Sequence, residues 1–340
     1  MNRKNTKTTH QKRISTRDFV KKTGRDKIWK EIAKELKLLH DENGDLKKEL
    51  RRYVKCALCD TADTQPVFVK DGFQFVKCRQ CGLIYVNPQV NPKKLVEINR
   101  RCRSHDMWVD LLLSQTEQDY DTKKFNNICG DLERLLPGRG RVLDIGCSIG
   151  LFLKIARSRG WDTVGMELNT KAVRYAREKL KLDVRECLLH EAGFEPESFD
   201  VITLWEVLEH VPDPASLLEE CRGYLRKGGL LGLLVPNRNA LSAMILHEHC
   251  SCFGGRNHLW YFSKEVLSAL LIKKSFKPIH TDTQLSQMEE ILNYLNYRDP
   301  YLSAPDPFDF SLPDKTKKKL GKFIFENHLG YKLLMYARKK

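Results

Sequence analysis

From Arg141 onward short apolar runs alternate with amphipathic segments, and this rhythm limits the possible folds more than any other feature of the chain. Val142–Ile145 reads as a buried strand, Leu151–Arg159 as a helix, Thr163–Met166 as a strand, and about 170–181 as a helix. Asp200–Leu204 is a further strand, Ala215–Leu225 a helix and Leu230–Val235 a strand. Lys264–Lys274 is a helix leading to a strand near 277–282. Strands separated by helices pair parallel, because each helix carries the chain back across one face of the sheet. The expectation is an α/β domain with a mostly parallel sheet and helices on both faces. Hydrophobic residues make up 41% of the 340, enough to bury such a core and too many for a disordered chain.

A second pattern lies upstream. Cys56 and Cys59 form one pair with two residues between them, and Cys78 and Cys81 form another. That spacing lets both sulfurs of a pair face one metal from a tight turn, and Gly82 permits the turn conformation such knuckles favour. Between the pairs, Val67-Phe68-Val69, Asp71-Gly72 and Phe73, Phe75 and Val76 read as strand, turn and strand. Four thiolates leave no open coordination position, so a structural Zn2+ in a small zinc-ribbon-like module is expected over residues 54–88. The other seven cysteines are scattered, and no disulfide framework is expected.

Residues 1–24 read as a disordered basic tail. Residues 25–53 read as a helical segment, a short hairpin interrupted at Asn43-Gly44. Residues 89–136 form a helical connector, and residues 137–340 the α/β domain with an insertion at about 283–313. The net charge of +15 is uneven: residues 1–55 contribute +10, residues 315–340 contribute +8, and the middle is slightly acidic. Basic ends with an acidic-leaning body suit an acidic partner at the periphery, an RNA or an anionic membrane surface, or solubility alone. Lys315–Lys322 followed by Phe323, Ile324 and Phe325 reads as an interfacial helix or as a solvated helix packed by one face. No apolar run approaches the ~20 residues of a membrane span, and no secretory signal is expected, so the cytoplasm is the expected location. The sequence sets no oligomeric state.

The stretch Val142-Leu143-Asp144-Ile145-Gly146-Cys147-Ser148-Ile149-Gly150 runs from an apolar strand through a small-residue turn into a helix. Such turns bring backbone N–H groups close to a ligand. Glu167 ends the next strand, where an acid can accept hydrogen bonds from both hydroxyls of a ribose. Together with Glu206-Val207-Leu208-Glu209-His210-Val211, Pro212-Asp213-Pro214 and His258-Leu259-Trp260-Tyr261-Phe262-Ser263, these residues resemble the class I S-adenosylmethionine (SAM)-dependent methyltransferases. The likeness is to the subgroup with the Glu-Val-Leu-Glu-His-Val motif, and it covers roughly residues 137–282. It implies a Rossmann-like, doubly wound, seven-stranded sheet whose closing strand falls in Tyr331–Arg338. It also implies SAM as cofactor, with Gly146, Cys147, Ser148 and Gly150 around the methionine portion and Asp144 ordering that loop. Glu167 would hold the ribose, Leu168 the adenine, with Cys187 or Leu188 as further adenine contacts. Trp205 and Glu206 would face the sulfonium. Ser148 departs from the glycine many relatives carry.

A sulfonium methyl is already activated, so such a protein must chiefly position a nucleophile and take its proton. His210 is the first candidate base and His258 the second. His247, His249, Cys250 and Cys252 lie too close in sequence to serve one metal together, and a lid or substrate wall is the expected role. Tyr294, Tyr297 and Tyr301 fall in the insertion. The expected activity is methyl transfer to a small-molecule or sugar- or glycan-type acceptor. The alternatives are an RNA methyltransferase that grips phosphates with its basic ends, and a cofactor-binding scaffold without turnover.

Overall fold

The computed structural model describes residues 25–285 and 313–340. Its centre is a seven-stranded sheet built from β6 (Arg141–Ile145), β7 (Asp162–Met166), β8 (Asp183–Arg185), β9 (Phe199–Trp205), β10 (Leu225–Pro236), β12 (Phe276–Gln284) and β13 (Lys332–Lys339). The strand order is β12-β13-β10-β9-β6-β7-β8, with β13 antiparallel to both neighbours and the pairs from β10 to β8 parallel. β6, β9 and β10 are almost wholly buried, as strands covered on both faces must be. The expected Rossmann-like sheet is therefore present, with its closing strand one residue later than read from the sequence.

Upstream, α1 (Arg25–Leu39) is followed by three helices, α2 (Pro92–Arg101), α3 (Arg103–Leu112) and α4 (Gln115–Leu135). Asn91 caps α2 by accepting from the Lys94 N–H, with Pro92 in the first turn, and so fixes where the connector begins. The expected second helix of the hairpin is absent. After a turn with Gly44 at φ +81°, Leu46 bridges back to His40, and Arg51–Arg52 (β1) pairs with Gln89–Val90 (β5). A helix of eight residues is marginal on its own, and burial of Leu46 together with strand pairing outweighs its periodicity.

Between the cysteine pairs, β2 (Thr64–Lys70) and β3 (Phe73–Cys78) form the expected hairpin, with Asp71 and Gly72 both at positive φ. β4 (Ile84–Val86) adds to β3. The fourth strand of this sheet, β11 (Trp260–Tyr261), comes from the far side of the chain and pairs with β4. The cysteine module is thus completed by a segment of the α/β domain, and one hydrophobic core runs through both. Among the described residues no helix is long and apolar enough to cross a membrane. Lys315–Phe325 falls within the helix Asp314–Glu326, which buries Ile324 and exposes Phe323 and Phe325.

Gly72 tests the packing of the hairpin turn. A Cβ there would stand 2.2 Å from the Gly44 carbonyl oxygen, at a φ of +73°. Gly72→Ala should cost about 2 kcal/mol or more in urea unfolding; an unchanged midpoint would show that the turn has room.

Candidate active site

The strand order reverses between β6 and β9, and the crevice this opens lies at the carboxyl ends of both strands. A cavity of about 680 Å³ occupies it. Every candidate cofactor residue read from the sequence lines this cavity except Gly150. Gly150 instead starts the helix Leu151–Ser158 (α5) at φ +79°, where a Cβ would meet Leu182 at 2.5 Å. Gly146 and Ser148 also take positive φ, and the N–H groups of Gly146 and Cys147 both donate to the Met166 carbonyl. Serine thus holds a left-handed conformation at the position where glycine is common.

Glu167 organises this loop. Its carboxylate accepts the backbone N–H groups of Ser148 (2.9 Å), Leu168 (2.7 Å) and Asn169 (2.8 Å). Burial pushes its pKa up, and the three N–H bonds pull it down. Asp144, 1% exposed, accepts from the Thr203 hydroxyl at 2.7 Å. Burial pushes its carboxyl up to about 8, against the pull of Thr203 and with the help of the Glu167 charge. No cation pairs with Asp144 among the described residues. A buried carboxyl of this kind suits a ligand that brings an ammonium group.

The opposite end of the cavity is set by the residues after β9. Glu206 sits at φ +60° and forms an ion pair with Lys332 at 2.5 Å. Burial would raise its pKa, but Lys332 and Lys124 hold it down at about 2. His210 Nδ1 lies 2.9 Å from the Asn257 carbonyl, and His258 Nδ1 lies 2.8 Å from the Cys252 carbonyl. A carbonyl only accepts, so both Nδ1 atoms carry the hydrogen and both Nε2 atoms are bare in the neutral rings. Burial holds both imidazoles below their ordinary pKa, His258 down at about 4. The rings stand 4.7 Å apart, edge to face. Glu209 is fully buried 3.8 Å from His210 Nε2, and among the described residues neither of its carboxyl oxygens is hydrogen-bonded. One donor atom from each of Glu209, His210 and His258 falls within 4.8 Å of the others, a set that could take a divalent cation.

The wall the sequence did not reveal comes from the connector helices, through Leu95, His105, Trp108, Tyr120 and Lys124. A buried network ties that wall to the histidines. Glu35 on α1 pairs with Arg256 and accepts both the N–H and the hydroxyl of Ser104, while Arg256 donates to Ser104 and Asn257. The Asn257 amide then meets His105 Nε2 at 3.2 Å. Arg256 is 4% exposed, and a lone arginine in a Gly-Gly-Arg-Asn stretch gave no sign of it. Cys250 and Cys252 are buried, whereas His247 and His249 sit on a short surface turn. None of the four lines the cavity, so the expected wall is not formed by them; Cys252 acts on the site through the bond of its carbonyl to His258. Tyr294, Tyr297 and Tyr301 lie outside the described residues. In the module, the sulfurs of Cys56, Cys59, Cys78 and Cys81 fall within 4.8 Å of one another, with Cys56 and Cys81 at 3.5 Å. Sulfurs around a tetrahedral zinc stand about 3.8 Å apart, so the donor set fits that ion.

The Asp144 shift has a consequence for stability. Its folded pKa lies above the ordinary carboxylate value, so the folded chain without ligand holds a proton that the unfolded chain releases between about pH 4 and 8. Stability from this group is full below pH 4 and is lost as pH rises through 8, at up to about 1.4 kcal/mol per pH unit. Asp144→Asn should flatten that part of the curve in denaturant titrations; an unchanged slope would place the proton elsewhere.

A family model described as a methyltransferase domain matches residues 120–281. A ubiquinone biosynthesis O-methyltransferase from Actinobacillus pleuropneumoniae is 30% identical over 145 residues, which is 40% of this chain and 58% of that one. One from Cereibacter sphaeroides is 33% identical over 178 residues, 51% of this chain and 66% of that one. The chain thus spans less than two thirds of the length of the curated relatives it matches. The magnesium protoporphyrin IX methyltransferase of Synechocystis PCC 6803, solved with bound S-adenosylhomocysteine (SAH), is 13% identical. It matches 74% of this chain and all of its own, with a TM-score of 0.50, a likeness of fold alone. Family match, fold and loop geometry together support a SAM-dependent methyltransferase domain of class I over residues 120–281.

Proposed function

We propose that this chain transfers a methyl group from SAM to a hydroxyl of a small, largely apolar acceptor. The observation that carries this reading is one continuous cavity with two ends. Glu167, Asp144 and the Gly146–Ser148 backbone line one end, and two imidazoles with bare Nε2 atoms line the other. Bound there, SAM supplies a sulfonium methyl that needs only an aligned nucleophile. Asp144 would meet its ammonium group, Glu167 would accept from its ribose hydroxyls, and Leu168, Cys187 and Leu188 would pack on the adenine. Trp205 and Glu206 would border the methyl.

At the acceptor end the residues bind, orient and take a proton. An acceptor hydroxyl donates to His210 Nε2, and its oxygen is held in line by the walls of the cavity. SAM would supply the methyl group and a neutral thioether as its leaving group, and His210 would take the hydroxyl proton. Burial pushes the Glu209 carboxyl, 3.8 Å away, up to about 8, and positive charge arriving on the ring would favour its ionised form. His258 is the second acceptor for the same proton. The relatives named for ubiquinone biosynthesis support O-methylation of a small molecule. A sugar or glycan acceptor would belong to the same small-molecule class, and the leucines, valines, two phenylalanines and two tryptophans of the lining suit an aromatic ring better. The RNA reading rests on basic ends of which residues 1–24 lie outside the described residues. In the module, Cys56, Cys59, Cys78 and Cys81 would hold zinc, which would supply a structural cross-link.

Isothermal titration with SAH tests the cofactor half. The chain should bind one SAH, and Glu167→Ala should weaken binding by roughly 10- to 100-fold, the loss of two ribose hydrogen bonds to a charged group. Equal affinity in the variant, or no binding at saturating SAH, contradicts the reading.

A further inference from the structure

We propose that the four-cysteine module positions the segment Glu209–Val211 of the active site, with Tyr85 and Trp260 as the positioning residues between them. The metal half of this inference rests on the zinc reading above; the brace itself does not.

The path is continuous in backbone and ring contacts. The second cysteine pair closes a turn in which Gly82 N–H donates to the Cys78 carbonyl and Cys78 N–H to the Leu83 carbonyl. The chain leaves that turn directly into β4, which pairs with β11 so that Tyr85 faces Trp260 and Ile84 faces Tyr261. The Val86 N–H donates to the Leu259 carbonyl at 3.0 Å and extends the pairing by one residue. The Tyr85 and Trp260 rings lie 5.2 Å apart, tilted by 31°, both buried.

From Leu259 and Trp260 three bonds reach the catalytic segment on both sides of His210, the weakest from the Trp260 backbone N–H to the Glu209 carbonyl at 3.3 Å. The Leu259 N–H donates to the Glu209 carbonyl at 2.7 Å, and the Trp260 indole N–H donates to the Val211 carbonyl at 2.8 Å. The same strand begins just after Asn257 and His258, whose carbonyl and ring form the working edge of the site. A shift of β11 would therefore move the Glu209 and Val211 carbonyls and the partner of His210 Nδ1 together. Arg52 adds a parallel tie from the module side through the Pro212 carbonyl at 3.3 Å.

Tyr85 gives this brace a sensor for the state of the cluster. Its hydroxyl is buried and has no hydrogen-bond partner among the described residues. The β3–β4 pairing sets Tyr85 opposite Val76, two residues before Cys78; burial first, and then charge on Cys56, Cys78 and Cys81, raises its pKa. Thiolates holding a cation are acceptors, so a loaded cluster offers this hydroxyl a partner that the thiol form does not. Ordering Tyr85 orders the ring packed against it, and through Trp260 the carbonyl beside His210.

The test uses the full chain, with metal content measured first and peptide-resolved hydrogen exchange as the readout. Stripping zinc with a chelator should speed exchange across residues 207–212 and 257–262 as well as 54–88, and leave 141–145 and 162–166 unchanged. A change confined to 54–88 overturns the coupling. Trp260→Phe keeps an aromatic ring and the strand, and deletes the indole N–H together with the five-membered ring that carries it. It should leave metal content and SAH affinity intact and speed exchange at 207–212 roughly five- to tenfold, the protection that one hydrogen bond supplies. In a chain labelled with 15N at the histidine rings, the His210 signals, identified by their loss in His210→Asn, should move toward tautomer averaging in the same variant. Wild-type exchange and wild-type ring signals in Trp260→Phe overturn the brace. Tyr85→Phe should release zinc to a competing chelator ~10-fold faster; an unchanged rate removes Tyr85 from the path. A chain isolated without metal, and taking up none when zinc is added, overturns the metal half, and Trp260→Phe still decides the brace.

Discussion

The side-by-side parallel pairing of β6 and β9 is the constraint on which the rest of the molecule depends. Val142–Ile145 and Val201–Leu204 lie in register, so that Asp144 and Thr203 meet at the carboxyl end of the sheet and share a buried hydrogen bond. Helices from these two strands leave in opposite directions, and the crevice between them cannot be filled by either. Glu167 from β7 and Glu206 from β9 reach its two sides, and everything else in the site is arranged around what that crevice holds.

Closing the crevice falls to residues outside the α/β sheet. Helices α2 to α4 supply one wall, and the buried pair of Glu35 and Arg256 pins that wall to the loop carrying Asn257 and His258. Leaving either charge of such a pair alone in the interior costs several kcal/mol, so the pair holds both halves to one geometry. The four-stranded sheet of the cysteine module works in the same sense, because its last strand belongs to the α/β domain. Polar side chains that would be costly in a core, Arg256, Glu209 and the two imidazoles, are concentrated where these pieces meet.

How much of this could be read from the sequence differed with the range of the interactions. The strand–helix alternation after Arg141 is a local signal, and the sheet follows it closely. The Gly146–Gly150 turn and Glu167 are short-range too, and the loop they form is where it was expected. Long-range pairing left little trace. Trp260–Tyr261 is too short to read as a strand, and it becomes one only because β4 is beside it. Lys332 looks like one of many C-terminal lysines until β13 brings it to Glu206. The helical periodicity of Leu46, Leu50 and Tyr53 was genuine but weak, and pairing of Arg51–Arg52 with Gln89–Val90 overrode it. Tyr53 is left exposed as a result.

The central claim is that cofactor and acceptor share this one cavity, with the reactive end turned toward the two imidazoles. A crystal structure of the full chain grown with SAH tests it most directly. The account expects the ribose on Glu167, the ammonium beside Asp144, and the thioether sulfur facing the open side toward His210 and His258. A nucleoside bound elsewhere, or one whose sulfur points away from both histidines into protein, would contradict it.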